Sequence, residues 1–472
     1  MSWSKLVKQA IETPIDCGVF AAFNSNIDVV IKVTPERIKE IFQQDPRVFY
    51  DRPNDPTNVW PITTSTEFLA LLQECMAGGK SFYGIVDIQL SPFFEQAFPD
   101  RQEAMGGQAG IIANQMAALG AKSYVYNPVL SARQANAYHP KVMFPQIHNG
   151  VQWVRTSDAV NDQWTKVNFI FEYAKGVTYT FGLDTLTTPR ANRVILGTRN
   201  PKAAMGFDQK VEQYLPQLGT EFEVGFMAGY HHGRIEGRAD TINDYIDLSL
   251  KQKRALTEKN RELKLHLEYV PMKDGEDEVA LLRALVPEFS SFGINENEIQ
   301  RLLGELGFEE IAAEIRHHER AYSLYQGVLA IFHMFRVPRI QLHNLGYYVV
   351  ILAKPYSIRP EYVRQACLFA SCVNGIKAKH GGAVPRETLN EMASYPLSDI
   401  GLKQVEMFMR EGIAKGLPIF DDFANTGIME MEDHYLLVIP AHVIPNPVST
   451  VGMGDTVSSS SYAAEISLGR SI

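Results

Sequence analysis

The run PNPVSTVGMGDTVSSSSY, close to the C-terminus, carries the residues best suited to chemistry. Gly452, Met453 and Gly454 lead into Asp455 and a Ser-rich segment that we expect to be helical. Such a turn places free backbone N–H groups and the positive end of a helix dipole beside one carboxylate. The N–H groups can stabilise charge on a moving phosphoryl group, and Asp455 can accept the proton of an attacking hydroxyl. The pattern predicts phosphoryl transfer to an alcohol, although Gly-x-Gly-Asp also occurs in ordinary turns.

Two further segments carry groups that suit a polyol. Asn24, Asn26 and Asp28 alternate at the end of a predicted first strand, so their side chains share one face and could hold several sugar hydroxyls. An Asx-rich turn is the alternative. Gly106, Gly107 and Gln108 precede a predicted helix, where bare backbone and one amide could face the same ligand. A plain glycine turn would explain this second segment equally well.

Two pairs of residues suggest a metal. His266 and Glu268 lie two apart on a predicted strand and therefore point the same way. Asn295 and Glu298 are three apart near the start of a predicted helix and share a face. Two ligands are too few for a transition-metal site. Magnesium, in contrast, keeps most of its water ligands and often binds carboxylates through these waters. An exposed polar helix face is the alternative for the second pair.

Composition limits the class of protein. The chain has 472 residues and 53.0 kDa, which favours two domains or one large domain with a lid. A net charge of −9 and a pI near 5.8 argue against a nucleic-acid partner. The sequence has no signal-peptide core and no long apolar run, so we expect a soluble, cytoplasmic protein without a membrane partner. Four cysteines without metal-type spacing are expected to be reduced core thiols.

Short β-rich runs alternate with amphipathic stretches, which predicts a mainly parallel sheet covered by helices. The predicted strands are Gly18–Phe23, Lys122–Tyr126, Val224–Ala228, Leu263–Tyr269, Ile340–His343 and Tyr435–Ile439. The predicted helices are Gly110–Leu119, Ala239–Arg254, Glu278–Leu285, Glu296–Leu303, one long run over Glu309–Phe335, and Glu361–Ala378. Ligands of such sheets bind outside the carboxyl ends of the strands, where the polar motifs lie.

Two stretches, about residues 30–102 and 153–199, depart from this alternation. The second contains KVNFIFEY and GVTYTFGL, which we predict to be antiparallel strands around a glycine turn. Neither stretch supplies an obvious layer of the main sheet. Both are therefore candidates for insertions that form a separate, smaller β-containing unit.

Seven segments in order resemble the ADP-dependent sugar kinases, a family of glucokinases and phosphofructokinases in the ribokinase-like superfamily. The segments are AFNSNIDVV, MGGQAGIIANQMA, KVNFIFEY, ANRVI, HLE, GINENE and STVGMGDT. The resemblance implies an α/β fold, a ribokinase-like three-layer sandwich with a mainly parallel central sheet and a smaller α+β lid. It places residues 1–29, 103–152 and 200–472 in the large nucleotide-binding domain and residues 30–102 and 153–199 in the lid. It also implies ADP as phosphoryl donor and Mg²⁺ or another divalent cation.

The resemblance assigns roles to particular residues. Asn26 and Asp28 would contact the sugar, and Arg193 in ANRVI would reach the phosphoryl group when the lid closes. Glu268 and Glu298 would bind the metal through its water ligands. His266 and Asn295 would support these two carboxylates without contacting the metal directly. The adenine pocket would be formed by residues near the last strands and the glycine turn: His343, Tyr347, Tyr348, Val443, Ile444 and Thr450.

The choice of sugar depends on the lid. The glucokinase branch uses a lid Glu and a lid His, and this chain places Asn168 at the His position, with Lys166 on the same face. Lys166, helped by Arg190, could meet the 6-phosphate of fructose 6-phosphate. Tyr83 or Gly84 falls near the position of the lid Glu, which Glu67 or Glu74 could still supply.

We therefore expect an ADP-dependent phosphofructokinase of a modified, archaeal type of glycolysis that forms fructose 1,6-bisphosphate and AMP. A glucokinase or a bifunctional enzyme is the alternative, and a catalytically silent sugar- or nucleotide-binding regulator is the alternative of another class. The intact Asp455 argues against the regulator. A P-loop kinase and a dinucleotide oxidoreductase are disfavoured because GxxxxGK[ST] is absent and GxGxxG does not follow the first strand. A monomer or small homo-oligomer is expected.

Overall fold

The computed structural model describes residues 2–49, 51–199, 205–419 and 422–470. The strands are β1 (Gly18–Phe23), β2 (Asn26–Lys32), β3 (Phe82–Val86), β4 (Arg101–Gly106), β5 (Lys122–Tyr126), β6 (Val142–Ile147), β7 (Val151–Arg155), β8 (Val167–Tyr173), β9 (Thr178–Phe181), β10 (Asp184–Thr187), β11 (Asn192–Thr198), β12 (Val224–Ala228), β13 (Lys264–Glu268), β14 (Ser291–Asn295), β15 (Arg339–Asn344), β16 (Tyr347–Ala353), β17 (Ile428–Glu430) and β18 (His434–Pro440).

The helices are α1 (Trp3–Ile11), α2 (Pro35–Gln44), α3 (Ser65–Gly78), α4 (Ser91–Ala97), α5 (Gln108–Ala118), α6 (Ala132–Ala137), α7 (Gln209–Glu212), α8 (Leu215–Leu218), α9 (Ile242–Thr257), α10 (Gly275–Leu285), α11 (Glu296–Glu305), α12 (Glu309–His317), α13 (Ala321–Phe335), α14 (Pro360–His380), α15 (Asp399–Ala414), α16 (Phe423–Thr426) and α17 (Met453–Arg470). Among the described residues, no helix is long and apolar enough to cross a bilayer.

An 11-stranded sheet forms the centre of the larger unit, in the order β17-β18-β16-β15-β14-β13-β12-β1-β5-β6-β7. The strands from β15 through β12 and β1 to β6 pair in parallel, and antiparallel strands complete both edges. β1 is buried along its whole length between β5 and β12. The predicted α/β class with a mainly parallel sheet is thereby confirmed. The carboxyl ends of β1, β13, β14 and β15 meet at one edge, where ligands of such sheets bind.

A second sheet of five strands, in the order β3-β11-β8-β2-β4, has a separate apolar core. The predicted boundaries after residues 29, 102 and 152 are wrong, because they cut through β2, β4 and β7. β2 pairs along its length with β4 and β8, so all of it lies in the small sheet, whereas β7 pairs with β6 in the large one. The boundary between residues 199 and 200 lies at the limit of the described residues.

Two predicted elements are corrected. β8 does not form a hairpin with β9, because β8 pairs with β2 and β11 while β9 pairs with β10. The long helix predicted over Glu309–Phe335 is two helices, α12 and α13. The chain leaves the helical conformation at His318, and the N–H of Arg320 donates to Ser323 Oγ at the start of α13.

Candidate active site

The glycine turn before α17 has the predicted geometry. Gly452 has φ +66°, and the first bond within the helix runs from the N–H of Thr456 to the carbonyl of Gly452 at 3.1 Å. The N–H groups of Met453, Gly454 and Asp455 therefore precede the intrahelical pattern and face outward from the first turn. This arrangement is a ready anion site at the positive end of an 18-residue helix.

Asp455 lies in the first turn of α17, and burial raises its pKa to about 7. The negative charge of Glu268 acts in the same direction, and the ammonium of Lys377 opposes it. A carboxylate whose pKa lies near neutrality can both accept a proton and exist in its ionised form at working pH. Asp455 is thus equipped to act as a general base.

His266 and Glu268 meet as predicted at the carboxyl end of β13. Their side chains are 2.7 Å apart, measured from Nε2 to Oε2, and the ring is fully buried. Burial raises the pKa of Glu268 to about 8 and lowers the pKa of His266 well below its ordinary value. Gly293, on the neighbouring strand, leaves space for both groups, because a Cβ there would lie 2.5 Å from Glu268 Oε2.

Asn295 and Glu298 form the N-terminal capping box of α11. The side chain of Asn295 accepts from the N–H groups of Asn297 and Glu298, while Glu298 Oε2 accepts from the N–H of Asn295 at 3.0 Å. The side-chain oxygen of Asn295 is therefore already hydrogen-bonded to the backbone. This bonding is compatible with the prediction that Asn295 supports the metal-binding carboxylates and does not contact the metal itself. Burial raises the pKa of Glu298 to about 8, with further contributions from Glu268 and Asp455. The carboxyl groups of Glu268, Glu298 and Asp455 therefore form one electrostatic cluster, called the carboxylate cluster below.

In the described part of the chain, no group of three or more His, Cys, Asp or Glu side chains is arranged to hold a metal ion directly. The carboxylate cluster nevertheless favours a cation, since the charge of Glu268 raises the pKa values of Glu298 and Asp455, and the charge of Asp455 also raises that of Glu298. A hydrated Mg²⁺, which needs few protein ligands, matches this geometry better than a transition metal does.

The predicted polyol-binding residues come together between the two sheets. Asn26 Nδ2 donates to Asp28 Oδ1 at 2.6 Å, and Asn168 Nδ2 donates to the same oxygen at 3.3 Å. Burial raises the pKa of Asp28 to about 6. Asn24 lies in the connection between β1 and β2, not at the end of the first strand, and its Nδ2 donates to Gln108 Oε1 at 3.4 Å.

Gly106 and Gly107 belong to this polar cluster for steric reasons. A Cβ on Gly106 would overlap the Asp28 carboxyl group, and a Cβ on Gly107 would lie 2.6 Å from the carbonyl oxygen of Asn24. Gly107 also has φ +71° and precedes α5. The two glycines let the start of α5 approach the Asn26 and Asp28 side chains closely.

A basic cluster adjoins the amides, and most of it was missed by sequence reasoning. Lys166 Nζ donates to Asn24 Oδ1 at 2.5 Å and lies 3.4 Å from His232 Nε2. Burial lowers the pKa of Lys166 to about 7, with a contribution from Arg199. Desolvation also lowers the pKa of His231 to about 3 and that of His232 well below its ordinary value, and the charges of Lys166 and Arg199 add to both effects.

Arg199 lowers the pKa of Lys166, and the charges of Lys166 and Arg199 lower the pKa values of both histidines, so an anion bound beside these groups would stabilise their charged forms. Arg199, His231 and His232 come from segments far from Lys166 in sequence. The adjacent histidines of GYHHGR were the available signal, but a histidine pair alone indicates no particular ligand.

The face of the small sheet opposite its apolar core carries further predicted residues. The predicted residues Asn168 and Arg193 lie on this face, and Glu172, which was not predicted to belong to the site, lies directly opposite Arg193 in register. Tyr83 also lies there, because a Cβ on Gly197 would meet both Tyr83 Oη at 3.2 Å and Asn168 Oδ1 at 3.0 Å. The charge of Arg193 lowers the pKa of Asp28, so the guanidinium lies within electrostatic reach of the polar cluster.

Three predictions for this unit are corrected. Arg190 Nε donates to the carbonyl of Gly79 at 2.6 Å, so Arg190 anchors the C-terminal end of α3 and does not lie beside Lys166. Glu67 accepts from Thr63 and Thr64 in the capping box of α3. Glu74 is exposed beside Lys80. Glu67 and Glu74 are therefore not lid carboxylates of the polar cluster.

A cleft next to the glycine turn contains most of the residues predicted for a nucleotide. It is lined by both predicted nucleotide-binding and turn residues, namely His343, Tyr348, Val443, Ile444, Thr450, Met453 and Gly454. Tyr347 is not among the lining residues: it alternates to the other face of β16, where its hydroxyl accepts from Asn344 Nδ2 at 2.9 Å. The cleft leads from an apolar wall to the free N–H groups of α17.

An α/β sheet whose strand ends hold a glycine turn with free N–H groups, a carboxylate with a pKa near neutrality and a cluster of amides is typical of a phosphotransferase with an alcohol acceptor. A family model described as the ADP-specific phosphofructokinase/glucokinase conserved region matches residues 17–464. The chain belongs to this family, as the sequence resemblance predicted.

Several curated relatives match over nearly their whole length. An ADP-specific phosphofructokinase of Methanosarcina acetivorans is 29% identical over 95% of this chain and 92% of its own. An ADP-dependent glucose/glucosamine kinase of Pyrococcus furiosus is 26% identical over 99% of both chains. Among solved structures, one titled as an ADP-dependent kinase complex with fructose-6-phosphate and ADPbetaS has a TM-score of 0.83 and 27% identity over 98% of both chains.

Proposed function

We propose that this protein is an ADP-dependent phosphofructokinase that transfers the β-phosphoryl group of Mg-ADP to fructose 6-phosphate. The observation that carries the choice of sugar is the basic cluster of Lys166, Arg199, His231 and His232 beside Asn24. A dianionic phosphate next to these groups would raise the pKa values of Lys166 and of the two histidines, and it would pair with the positive charge of the cluster. A neutral hexose would leave them unpaired, which disfavours glucose.

We infer the following reaction from these groups. The C1 hydroxyl oxygen of fructose 6-phosphate attacks the β-phosphorus, its proton passes to Asp455, and the bond between that phosphorus and the α–β bridging oxygen breaks. AMP leaves and fructose 1,6-bisphosphate forms. The N–H groups of Met453 to Asp455 stabilise the transferring oxygens, and Asn26 and Asp28 hold the sugar hydroxyls.

Mg²⁺ would be held by Glu268 and Glu298 through its water ligands, where it would neutralise the phosphate oxygens of ADP. Arg193 on the small sheet would add a guanidinium to the same charge when this sheet closes over the cleft. Closure of the small sheet as a lid on the large unit is part of the proposal. It would exclude water from Asp455 and so suppress hydrolysis of ADP.

The test is AMP formation by the purified protein with Mg-ADP, run in parallel with fructose 6-phosphate and with glucose. We expect turnover with fructose 6-phosphate and a kcat/KM for glucose lower by at least about 100-fold, since glucose leaves the basic cluster unpaired. Equal turnover of both sugars would replace the proposal with a bifunctional enzyme, which the glucose/glucosamine kinase relative makes the second candidate. No AMP with either sugar would refute it.

A further inference from the structure

A continuous chain of buried side chains runs from the interior of the large unit to Glu268. Arg339 and Glu465 form a fully buried ion pair with Nε and Oε2 2.8 Å apart. Arg339 Nη1 donates to Ser291 Oγ at 2.9 Å, and Ser291 Oγ lies 2.8 Å from His266 Nδ1. His266 Nε2 completes the chain at 2.7 Å from Glu268 Oε2.

The guanidinium of Arg339 is fixed on every side. Its Nη2 donates to Gln341 Oε1 at 2.6 Å, and its Cζ atom lies 4.7 Å from the centre of the Tyr462 ring. Tyr356 Oη donates to the other oxygen of Glu465 at 2.5 Å. A donor held this rigidly defines the position and the hydrogen-bonding direction of the serine hydroxyl next to it.

The direction of each hydrogen bond follows from donor and acceptor chemistry. Arginine only donates, so Ser291 Oγ accepts from Arg339. Within the described residues, the remaining partner of the Ser291 hydroxyl is His266 Nδ1, which must therefore accept the hydroxyl proton. The ring proton is then on Nε2, where it donates to Glu268. The opposite tautomer and the imidazolium would both leave the buried Ser291 hydroxyl without an acceptor.

We propose that Arg339 and Ser291 are positioning residues that hold His266 as its Nε2–H tautomer, so that His266 fixes one oxygen of Glu268 and leaves the other available to a hydrated metal ion. The part that Glu268 plays in holding the hydrated metal rests on the proposed function. A carboxylate with one oxygen fixed by a histidine meets its metal waters in a single orientation. The glycine at position 293 keeps the space beside both groups clear.

The test replaces Ser291, since removing one partner of the buried Arg339 and Glu465 pair is expected to unfold the protein. Ser291→Ala removes the acceptor for Arg339 and the donor to Nδ1, and Ser291→Thr keeps the hydroxyl. Ser461→Ala is the matched control, because Ser461 is equally buried and donates to Gln341 Oε1 at 2.7 Å in the same network without touching His266.

The first readout is ¹⁵N NMR of histidine-labelled protein without metal or substrates, with the His266 signals assigned through a His266→Gln variant. We expect Nε2 to be protonated and Nδ1 unprotonated in the parent protein, in Ser291→Thr and in Ser461→Ala. Ser291→Ala should lose this single state. A protonated Nδ1 in the parent protein, or an unchanged spectrum in Ser291→Ala, would overturn the proposal.

The second readout is the affinity of the ADP complex for Mn²⁺, used as a paramagnetic probe. Ser291→Ala should weaken it about tenfold, as expected for loss of the partner that orients a metal-ligating group, and Ser291→Thr should restore it. An equal loss in Ser291→Ala and Ser461→Ala would reduce the network to a packing role and overturn the proposal. Because the NMR readout needs no turnover, a protein that shows the tautomer but makes no AMP would refute the proposed function alone.

Discussion

Gly454 lies directly against His343 at the mouth of the nucleotide cleft. A Cβ on Gly454 would be 2.7 Å from His343 Nε2, closer than side-chain atoms pack. The histidine is partly buried where it lines the cleft, and desolvation lowers its pKa to about 4, so it presents a neutral ring to the turn. The close approach keeps the N–H groups of the first turn of α17 next to the cleft.

Gly454→Ala should therefore push the turn away from the cleft and weaken both ADP binding and turnover. We expect kcat/KM for ADP to fall at least about tenfold, because misplaced N–H donors lose charge stabilisation in the transition state. Gly304→Ala is the control, since no atom lies within 4 Å of its added Cβ. The measurement is steady-state kinetics of both variants; unchanged kinetics in Gly454→Ala would remove the turn from the phosphate site.

Lys166→Met tests the basic cluster. The variant should raise KM for fructose 6-phosphate about 10- to 100-fold, because a charge-assisted bond to the sugar phosphate is lost, while KM for ADP stays within about twofold. Lys175→Met, on an exposed lysine in a nearby turn, should leave both values unchanged. Equal loss of affinity for both substrates in Lys166→Met would show that Lys166 supports the fold instead of the sugar phosphate.

Arg193 and Arg190 form a matched pair near the same strand. Arg193→Gln should lower kcat about 1,000-fold with little change in thermal stability, because in the proposed reaction the charge of Arg193 would act on the transferring phosphoryl group. Arg190→Gln should cost about 1 kcal/mol of stability through the lost bond to Gly79 and leave kcat nearly unchanged. The measurements are kcat and thermal melting curves of both variants. A loss of stability in Arg193→Gln together with a loss of kcat in Arg190→Gln would exchange the two roles.

Asp455 should make stability depend on pH. Its pKa in the folded protein, about 7, is above the ordinary value of 3.8, so proton binding stabilises the folded state at low pH and this contribution is lost as pH rises through about 7. Asp455→Asn removes the effect, so its Tm should exceed that of the parent by a few °C more at pH near 8 than at pH near 5. The melting curves are recorded with chelator and without ADP. Asp100→Asn, a change at an almost fully exposed side chain, is the control and should show no such difference.

Local sequence signals were sufficient for the centre of the fold. β1, β5 and β12 begin and end where predicted, because each is a short run of mostly apolar residues in the middle of a buried parallel sheet. The turn at Gly452 to Asp455 was also predictable, since glycines, a carboxylate and a helix start are adjacent in sequence. In both cases the decisive interactions are between near neighbours.

Interactions between distant segments account for what was missed. Asn24, Asn26 and Asp28 were predicted to lie at the end of the first strand, yet the chain changes sheets at Asn24 and Ser25. Asn26 and Asp28 belong to β2, which pairs with β4 and β8. The basic cluster brings Lys166 together with two histidines that lie 65 and 66 positions further along the chain. The contact between Lys166 Nζ and His232 Nε2 shows this. Nothing local distinguished Arg190 from Arg193 either, because the Gly79 carbonyl that binds Arg190 is 111 positions away.

The role of Asp455 as general base is the central claim, and turnover of Asp455→Asn tests it most directly. Calorimetric binding of fructose 6-phosphate and of ADP to the variant should stay within about threefold of the parent, while kcat should fall by at least about 1,000-fold. Such a result would place the loss in the chemical step. A variant that binds both substrates and still forms AMP within about tenfold of the parent rate would contradict the account.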